Sequence, residues 1–189
     1  MIIMCDIDGV LNNLTQAAID ICNEHMGTNI KIDDITSYNF DECLPADVAS
    51  KIIGLFQLQA FWNNLYPIEG SQKYLRQLIK NGHQVYLATA TDPINFEWKC
   101  QWIKQYFDFI PLDNIIRIMD KSLLKCDIMI DDCLDNLIGN IICEKICLDY
   151  PYNRDTSKDY SYDIYRASNW RDIVCIINDI ERKNKEWEK

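Results

Sequence analysis

Histidine, positive charge and long apolar runs are all scarce in this 189-residue chain. There are only two histidines, His25 and His83, and the one close cysteine pair, Cys143 and Cys147, has no matching pair elsewhere. The ligand spacing of a structural zinc site is therefore missing. Lys and Arg number 19 against 29 Asp and Glu, a formal net charge of −10. Such a chain lacks the basic face with which a duplex DNA or RNA binder neutralises phosphates, although a local pocket for a small phosphate ester remains open to it. No apolar stretch reaches the roughly 20 residues that span a bilayer. Neither a repeat nor a low-complexity linker is present. The sequence opens on MIIMCDID with no charged leader or cleavage site, and its nine cysteines sit mostly in apolar runs such as Ile141-Ile142-Cys143. The expectation is a cytoplasmic protein with reduced, buried thiols and no membrane partner.

What the chain does contain is a core and a rhythm. At 48% hydrophobic it has ample apolar material for one domain, or one domain with a small insert. Met1 to Cys5 is a short apolar run halted by Asp6 and reads as a buried strand. Helical spacing covers Leu14 to His25, with Gly27 as a stop signal. Residues 29–66 hold Tyr38, Phe40, Phe56, Phe61, Trp62 and Tyr66 without a strong strand, and Pro45-Ala46-Asp47 is placed to open a helix to about Gln59. Beyond it strands and helices alternate: helix to Lys80, strand Gln84 to Ala88, helix Asn95 to Tyr106, strands at Ile115 to Met119 and Cys126 to Ile130, a short helix near Leu134, a strand Lys145 to Leu148, a polar tyrosine-rich loop over 150–167, and a closing helix from Asn169. That alternation implies an α/β, Rossmann-like parallel sheet with helices on both faces and a small helical cap inserted after the first strand. The expected division is a core of residues 1–12 and 70–189 and a cap of 13–69.

In open parallel α/β sheets, sites form at the carboxyl ends of the strands. Here those ends carry Asp6-Ile7-Asp8-Gly9, Thr89-Ala90-Thr91, Lys121 and Asp131-Asp132. Taken singly each has a bland reading: turn chemistry for the first, a solvated lysine for Lys121, a helix N-cap for the acidic pair. Together they bring four carboxylates, a hydroxyl and an ammonium group to one edge. Four carboxylates cannot share a site without a compensating charge, and oxygen-only ligands beside a phosphate suit Mg²⁺. A hydroxyl and a lysine suit phosphate oxygens. Asp6 and Asp8 point in different directions, so one can attack phosphorus while the other handles a proton.

The order DxDGV, T, K, DD resembles the haloacid dehalogenase-like (HAD) phosphatases over residues 2 to about 135. Asp6-Ile7-Asp8-Gly9-Val10-Leu11 looks like the first motif of that family, Thr89 the second, Lys121 the third and Asp131-Asp132 the fourth. Within it, DIDGVLNNL, FWNNLYPIEGSQKYL, EWKCQWIKQYF and MDKSLLKCDIMIDD look most like the 5′(3′)-deoxyribonucleotidases. The resemblance implies Asp6 as nucleophile and Asp8 as general acid/base. It implies Mg²⁺ on Asp6, the Asp8 backbone carbonyl and Asp132, with Asp131 at the same centre. Thr89, Lys121 and the second lysine, Lys99, would bind phosphate. Ala90 stands in the same turn, where the subgroup often has serine. Leu14, Tyr38 and Phe40 would face the substrate. Leu14 is aromatic in the mammalian members, and Tyr38-Asn39-Phe40 replaces their aromatic cluster only in part, which bears on base and sugar preference. The implied substrate is a small phosphomonoester, a nucleoside monophosphate first; a homodimer is compatible with the sequence.

The rival enzyme is a HAD phosphatase for another small phosphomonoester. A receiver-like signalling module is disfavoured because its acidic pair comes first and its phosphorylated Asp lies mid-chain. A catalytically silent Mg²⁺-binding module would require a broken motif, and none is broken. His25, His83 and Trp170 are read as structural or surface residues, the tyrosines from Tyr150 to Tyr165 as a surface loop with bordering the site as the alternative, and Phe61 and Trp62 as core of the cap ahead of a base platform.

Overall fold

The computed structural model describes residues 1–139, 143–154 and 164–187. Six parallel strands form one sheet in the order β3-β2-β1-β4-β5-β6. They are β1 (Ile2–Cys5), β2 (Gln84–Thr89), β3 (Ile115–Arg117), β4 (Ile128–Asp131), β5 (Glu144–Leu148) and β6 (Ile164–Ala167). The central strand β1 pairs with β2 on one side, where Cys5 faces Leu87, and with β4 on the other, where Cys5 faces Ile130. Asp6, Thr89 and Asp131 therefore come out at one edge by register alone.

The two faces of the sheet are covered unequally. Ile3, Cys5, Val85, Leu87, Ile128, Ile130, Ile146 and Leu148 meet Leu75 and Leu78 of α4 (Ser71–Lys80), Trp102 and Ile103 of α5 (Pro93–Tyr106) and Trp170, Ile173 and Ile177 of α7 (Trp170–Trp187). The alternate set, Met4, Ala88, Met129 and Cys147, packs under Leu134 and Leu137 of the short helix α6 (Leu134–Ile138). This two-residue alternation is the strand period read out as two cores.

The insert holds α1 (Leu14–Met26), α2 (Ala46–Leu55) and α3 (Gln59–Asn63). The helix expected from 46 to about 59 is divided at Phe56–Leu58, where Leu58 N–H turns back to the Leu55 carbonyl and Trp62 Nε1 donates to the Phe56 carbonyl at 2.9 Å. Gly27, at φ 67°, closes α1 by bonding the Asn23 carbonyl, a left-handed cap that glycine adopts without penalty. The chain enters and leaves the insert side by side: Ile68 N–H meets the Leu11 carbonyl at 2.8 Å and Asn13 N–H the Tyr66 carbonyl at 3.1 Å. Ala18, Val48, Ile52, Phe61 and Trp62 belong to the same continuous apolar cluster as Ile3 and Ile130. The insert is thus seated on the core.

Two other expectations are corrected in detail. α5 starts at Pro93, two residues earlier than periodicity suggested, because proline fits the first helical position after Asp92. The loop expected over 150–167 contains a 3-10 turn, Pro151–Asn153, and the edge strand β6. Residues 155–163 of that expected loop, and Ile141 and Ile142 of the apolar run, lie outside the described residues. All nine cysteines are free; Cys5, Cys22, Cys126 and Cys147 are buried, whereas Cys175 is exposed. Among the described residues no helix is long and apolar enough to cross a membrane.

Candidate active site

Beyond Cys5 the chain leaves the sheet through a tight loop. Leu11 N–H bonds back to the Ile7 carbonyl at 2.8 Å, and Trp170 Nε1 from α7 pins the Val10 carbonyl at 2.9 Å. Gly9 has φ 68°, and a Cβ there would lie 2.3 Å from Asp132 Oδ2. Only glycine lets the loop pass this close to that carboxylate.

Two ion-pair systems result. In the first, buried Lys121 donates to Asp6 Oδ1 at 2.5 Å and to Asp131 Oδ2 at 2.7 Å. Asp131 also accepts from Cys133 N–H at 2.9 Å and from Asn136 Nδ2. In the second, Lys99, only 2% exposed, donates to Asp8 Oδ2 and to Thr89 Oγ1 at 2.8 Å, with its ammonium 5.0 Å above the Trp62 ring. Asn12 Nδ2 holds the other Asp8 oxygen at 2.9 Å. The two leading aspartates thus face different lysines, because the chain has left β1 and turns between them.

Asp6, Asp131 and Asp132 offer oxygens all within 4.8 Å of one another, and all three are buried. The Asp8 carboxylate stands apart on Lys99, so the expected four-acid centre is three side chains plus whatever the Asp8 backbone supplies. Burial, with Asp131 and Asp8 nearby, pushes the Asp6 carboxyl up to about 7 despite Lys121. Burial also drives Asp132 well above the usual carboxylate range, aided by Asp131 and Asp6 and opposed by the Tyr152 hydroxyl. Lys121 pays a desolvation cost, yet Asp6 and Asp131 hold its ammonium above the ordinary lysine range. With one ammonium among three buried carboxyl groups, full ionisation would leave negative charge uncompensated, which is why Asp6 and Asp132 hold their protons so strongly without a cation. That deficit, with an all-oxygen donor set, fits a hard divalent cation.

Above this edge lies a cavity of about 240 Å³, lined by Asp8, Gly9 and Asp132 from the core and by Leu14, Ile35, Tyr38, Phe40, Ile53 and Phe56 from the insert, with Tyr152 completing the wall. The structure brings together Asp6, Asp131, Asp132 and Lys121, and separately Asp8, Thr89 and Lys99. Leu14, Tyr38 and Phe40 all line the cavity, Tyr38 remaining 60% exposed. Ala90 is exposed at the end of β2 and has only backbone to offer. Phe61 and Trp62 are buried and lie outside the cavity lining. Sequence reasoning missed Asn12, Ile35 and Phe56, and it had the Tyr150–Tyr165 cluster, which supplies Tyr152, bordering the site only as an alternative; an asparagine four residues after Asp8 was a local signal for Asn12.

A family model described as "5' nucleotidase, deoxy (Pyrimidine), cytosolic type C protein" matches residues 1–184. The chain belongs to this family. A 5'(3')-deoxyribonucleotidase of Bacillus subtilis (strain 168) is 30% identical over 173 residues, covering 91% of this chain and 95% of that protein. Another, from Clostridium acetobutylicum, is 27% identical over 179 residues, covering 93% and 94%. A HAD family hydrolase from Deinococcus radiodurans R1, solved with bound phosphate and sodium, shares the fold with a TM-score of 0.63 at 12% identity over 94% of each chain. The HAD fold is the one expected from the four motifs, and the nucleotidase family the one expected from the segments DIDGVLNNL, FWNNLYPIEGSQKYL, EWKCQWIKQYF and MDKSLLKCDIMIDD.

Proposed function

We propose that this family member is a Mg²⁺-dependent phosphomonoesterase that removes phosphate from deoxynucleoside monophosphates through a phosphoaspartate on Asp6. The observation that carries the reading is the buried trio Asp6, Asp131 and Asp132, the first two paired with Lys121 and the third in the wall of a largely apolar cavity. Asp6, Asp132 and the Asp8 backbone would hold Mg²⁺, which supplies charge neutralisation so that a carboxylate can approach an anionic phosphorus.

The chain's own groups divide the remaining work. Asp6 attacks phosphorus, forming one P–O bond as the ester P–O bond breaks. Asp8, held by Lys99 and Asn12, delivers a proton to the leaving oxygen and later takes one from the water that opens the acyl phosphate. Lys121 and Lys99, with Thr89, face the phosphate oxygens. Asp131 orients Lys121 through the 2.7 Å contact. The insert is read as a cap of residues 13–69 over a core of 1–12 and 70–189, and its apolar wall accepts the nucleoside. The cavity of about 240 Å³ adjoins a second of about 500 Å³ that shares Tyr38, Asp132 and Tyr152 with it, together room enough for a mononucleotide.

The test is phosphate release from a panel of deoxynucleoside and ribonucleoside monophosphates and sugar phosphates, with Mg²⁺ and with EDTA. Deoxynucleotides should lead, EDTA should abolish turnover, and Asp6→Asn should be inactive because an amide does not form the acyl phosphate. Turnover by Asp6→Asn at the wild-type rate would sink the covalent mechanism, and a preference for sugar phosphates would sink the substrate class.

A further inference from the structure

The segment that follows β5, read from the sequence as a surface loop with bordering the site as the alternative, reaches both halves of the acidic edge. Tyr152 is buried, and its hydroxyl donates to Asp132 Oδ2 at 2.6 Å. Tyr150, two residues earlier, donates its hydroxyl to the Gly9 carbonyl at 2.9 Å. The two rings are stacked, 5.1 Å apart and 6° from parallel. Between them, in effect, the DxDG loop and the fourth-motif acid are tied to one rigid aromatic pair.

The pair is itself anchored. Buried Asn153 donates Nδ2 to the Asp132 carbonyl and to the Leu148 carbonyl, both at 2.8 Å. Its own Oδ1 accepts from Tyr150 N–H at 3.1 Å and from Arg166 of β6 at 2.9 Å. Asp132 is thus held at backbone and side chain by one short turn, and that turn is fixed to the sheet edge. Gly9 leaves no slack on the opposite side, since even a methyl group would strike Asp132.

We propose that Tyr150 and Tyr152 are positioning residues that brace the Asp8-Gly9 loop and the Asp132 carboxylate, the groups that would hold Mg²⁺, so that the pair sets Mg²⁺ affinity. This rests on the reading of the three-carboxylate cluster as a Mg²⁺ site. A tyrosine hydroxyl occupies one Asp132 oxygen, keeps the carboxylate from swinging, and lowers the conformational cost of presenting the acid to the metal. Outer hydrogen-bond partners of metal ligands elsewhere are worth roughly 10–100-fold in metal affinity, and Tyr152 stands in that relation to Asp132.

The experiment is Mg²⁺ titration by calorimetry on the full chain, without substrate, for wild type, Tyr152→Phe and Tyr150→Phe. Phenylalanine keeps the ring stack and removes only the hydroxyl. Expected is a Mg²⁺ dissociation constant raised roughly 10–100-fold in Tyr152→Phe and raised to a lesser degree in Tyr150→Phe. The melting temperature in EDTA should be little changed, and kcat should recover at saturating Mg²⁺, which a general packing defect would not allow. If Tyr152→Phe melts far below wild type in EDTA, Tyr150→Phe decides: wild-type affinity there overturns the proposal. Wild-type affinity in a well-folded Tyr152→Phe overturns it too, leaving the metal reading standing. Absence of Mg²⁺ binding by wild type overturns the metal reading and this inference together.

Discussion

Neutralising Asp6 should stabilise the metal-free protein while destroying its activity, and the size of the effect follows from the site. Asp6 is buried beside Asp131, and these outweigh its ion pair with Lys121, raising the carboxyl from 3.8 to about 7. A raised acid binds its proton more tightly in the folded state than in the unfolded one. Its contribution to stability is therefore present below the unfolded value and is lost as pH rises through the folded one. The window runs from about pH 4 to about pH 7. Some three pH units at ~1.4 kcal/mol each give a destabilisation on the order of 4 kcal/mol at pH 7.5. For a chain of 189 residues, with 1 kcal/mol worth about 2–4 °C, that sets a ceiling of roughly 8–16 °C.

The assay is thermal melting of wild type and Asp6→Asn in EDTA between pH 4 and pH 8. Comparing the two proteins at each pH cancels the other titrating groups to first order. The advantage of Asp6→Asn should be small near pH 4, grow through pH 5 and 6, and level off above pH 7. Lys121 keeps Asp131 as its partner in the variant, so no buried charge is orphaned. Mg²⁺ should raise wild type more than the variant at pH 7.5. The reasoning fails if Asp6→Asn melts at or below wild type at pH 7.5 without metal, because Lys121 would then be winning over burial and repulsion.

Two further outcomes are expected. Gly9→Ala places a methyl group against Asp132 at a φ of 68°, so it should cost ~1–2 kcal/mol from the left-handed backbone alone and displace the acid as well; phosphatase activity with a melting curve tests this, and full activity would contradict it. Replacing Tyr38 and Phe40 together with Ala should raise KM for deoxynucleotides more than for a simple aryl phosphate, since aromatic faces are worth roughly 1–3 kcal/mol per stacked base. Equal losses on both substrates with a lowered melting temperature would assign both residues to packing, a role Phe40 already shares through its contact with Phe56.

The sheet and the first ring of polar residues at its edge were legible because they are written locally. Runs such as Ile2–Cys5 and Ile128–Ile130 are apolar on both faces, and each ends in a polar residue where the strand leaves the core. α1, α4 and α7 carry an apolar stripe or a cap that needs no partner to be recognised: Gly27 ends one, and Asn169 and Asp172 open another by exchanging hydrogen bonds. β6 was hidden because Ile164–Ala167 is a short edge strand whose identity comes from pairing with β5. The break between α2 and α3 depends on the indole of Trp62 reaching the Phe56 carbonyl, a contact no periodicity records.

The sequence by itself determined which side chains reach one edge, since a parallel sheet sends Asp6, Thr89 and Asp131 to the same end whatever surrounds them. Which acid pairs with which lysine was decided by tertiary structure. Lys121 takes Asp6 and Asp131, and Lys99 takes Asp8, because α5 and the turn after β3 approach from different sides. The three-dimensional fold also decided that Tyr150 and Tyr152, more than 140 positions from Gly9, would brace the loop that carries it. Hydrogen bonds of that span leave no trace in local pattern, because they are set by where folded elements meet.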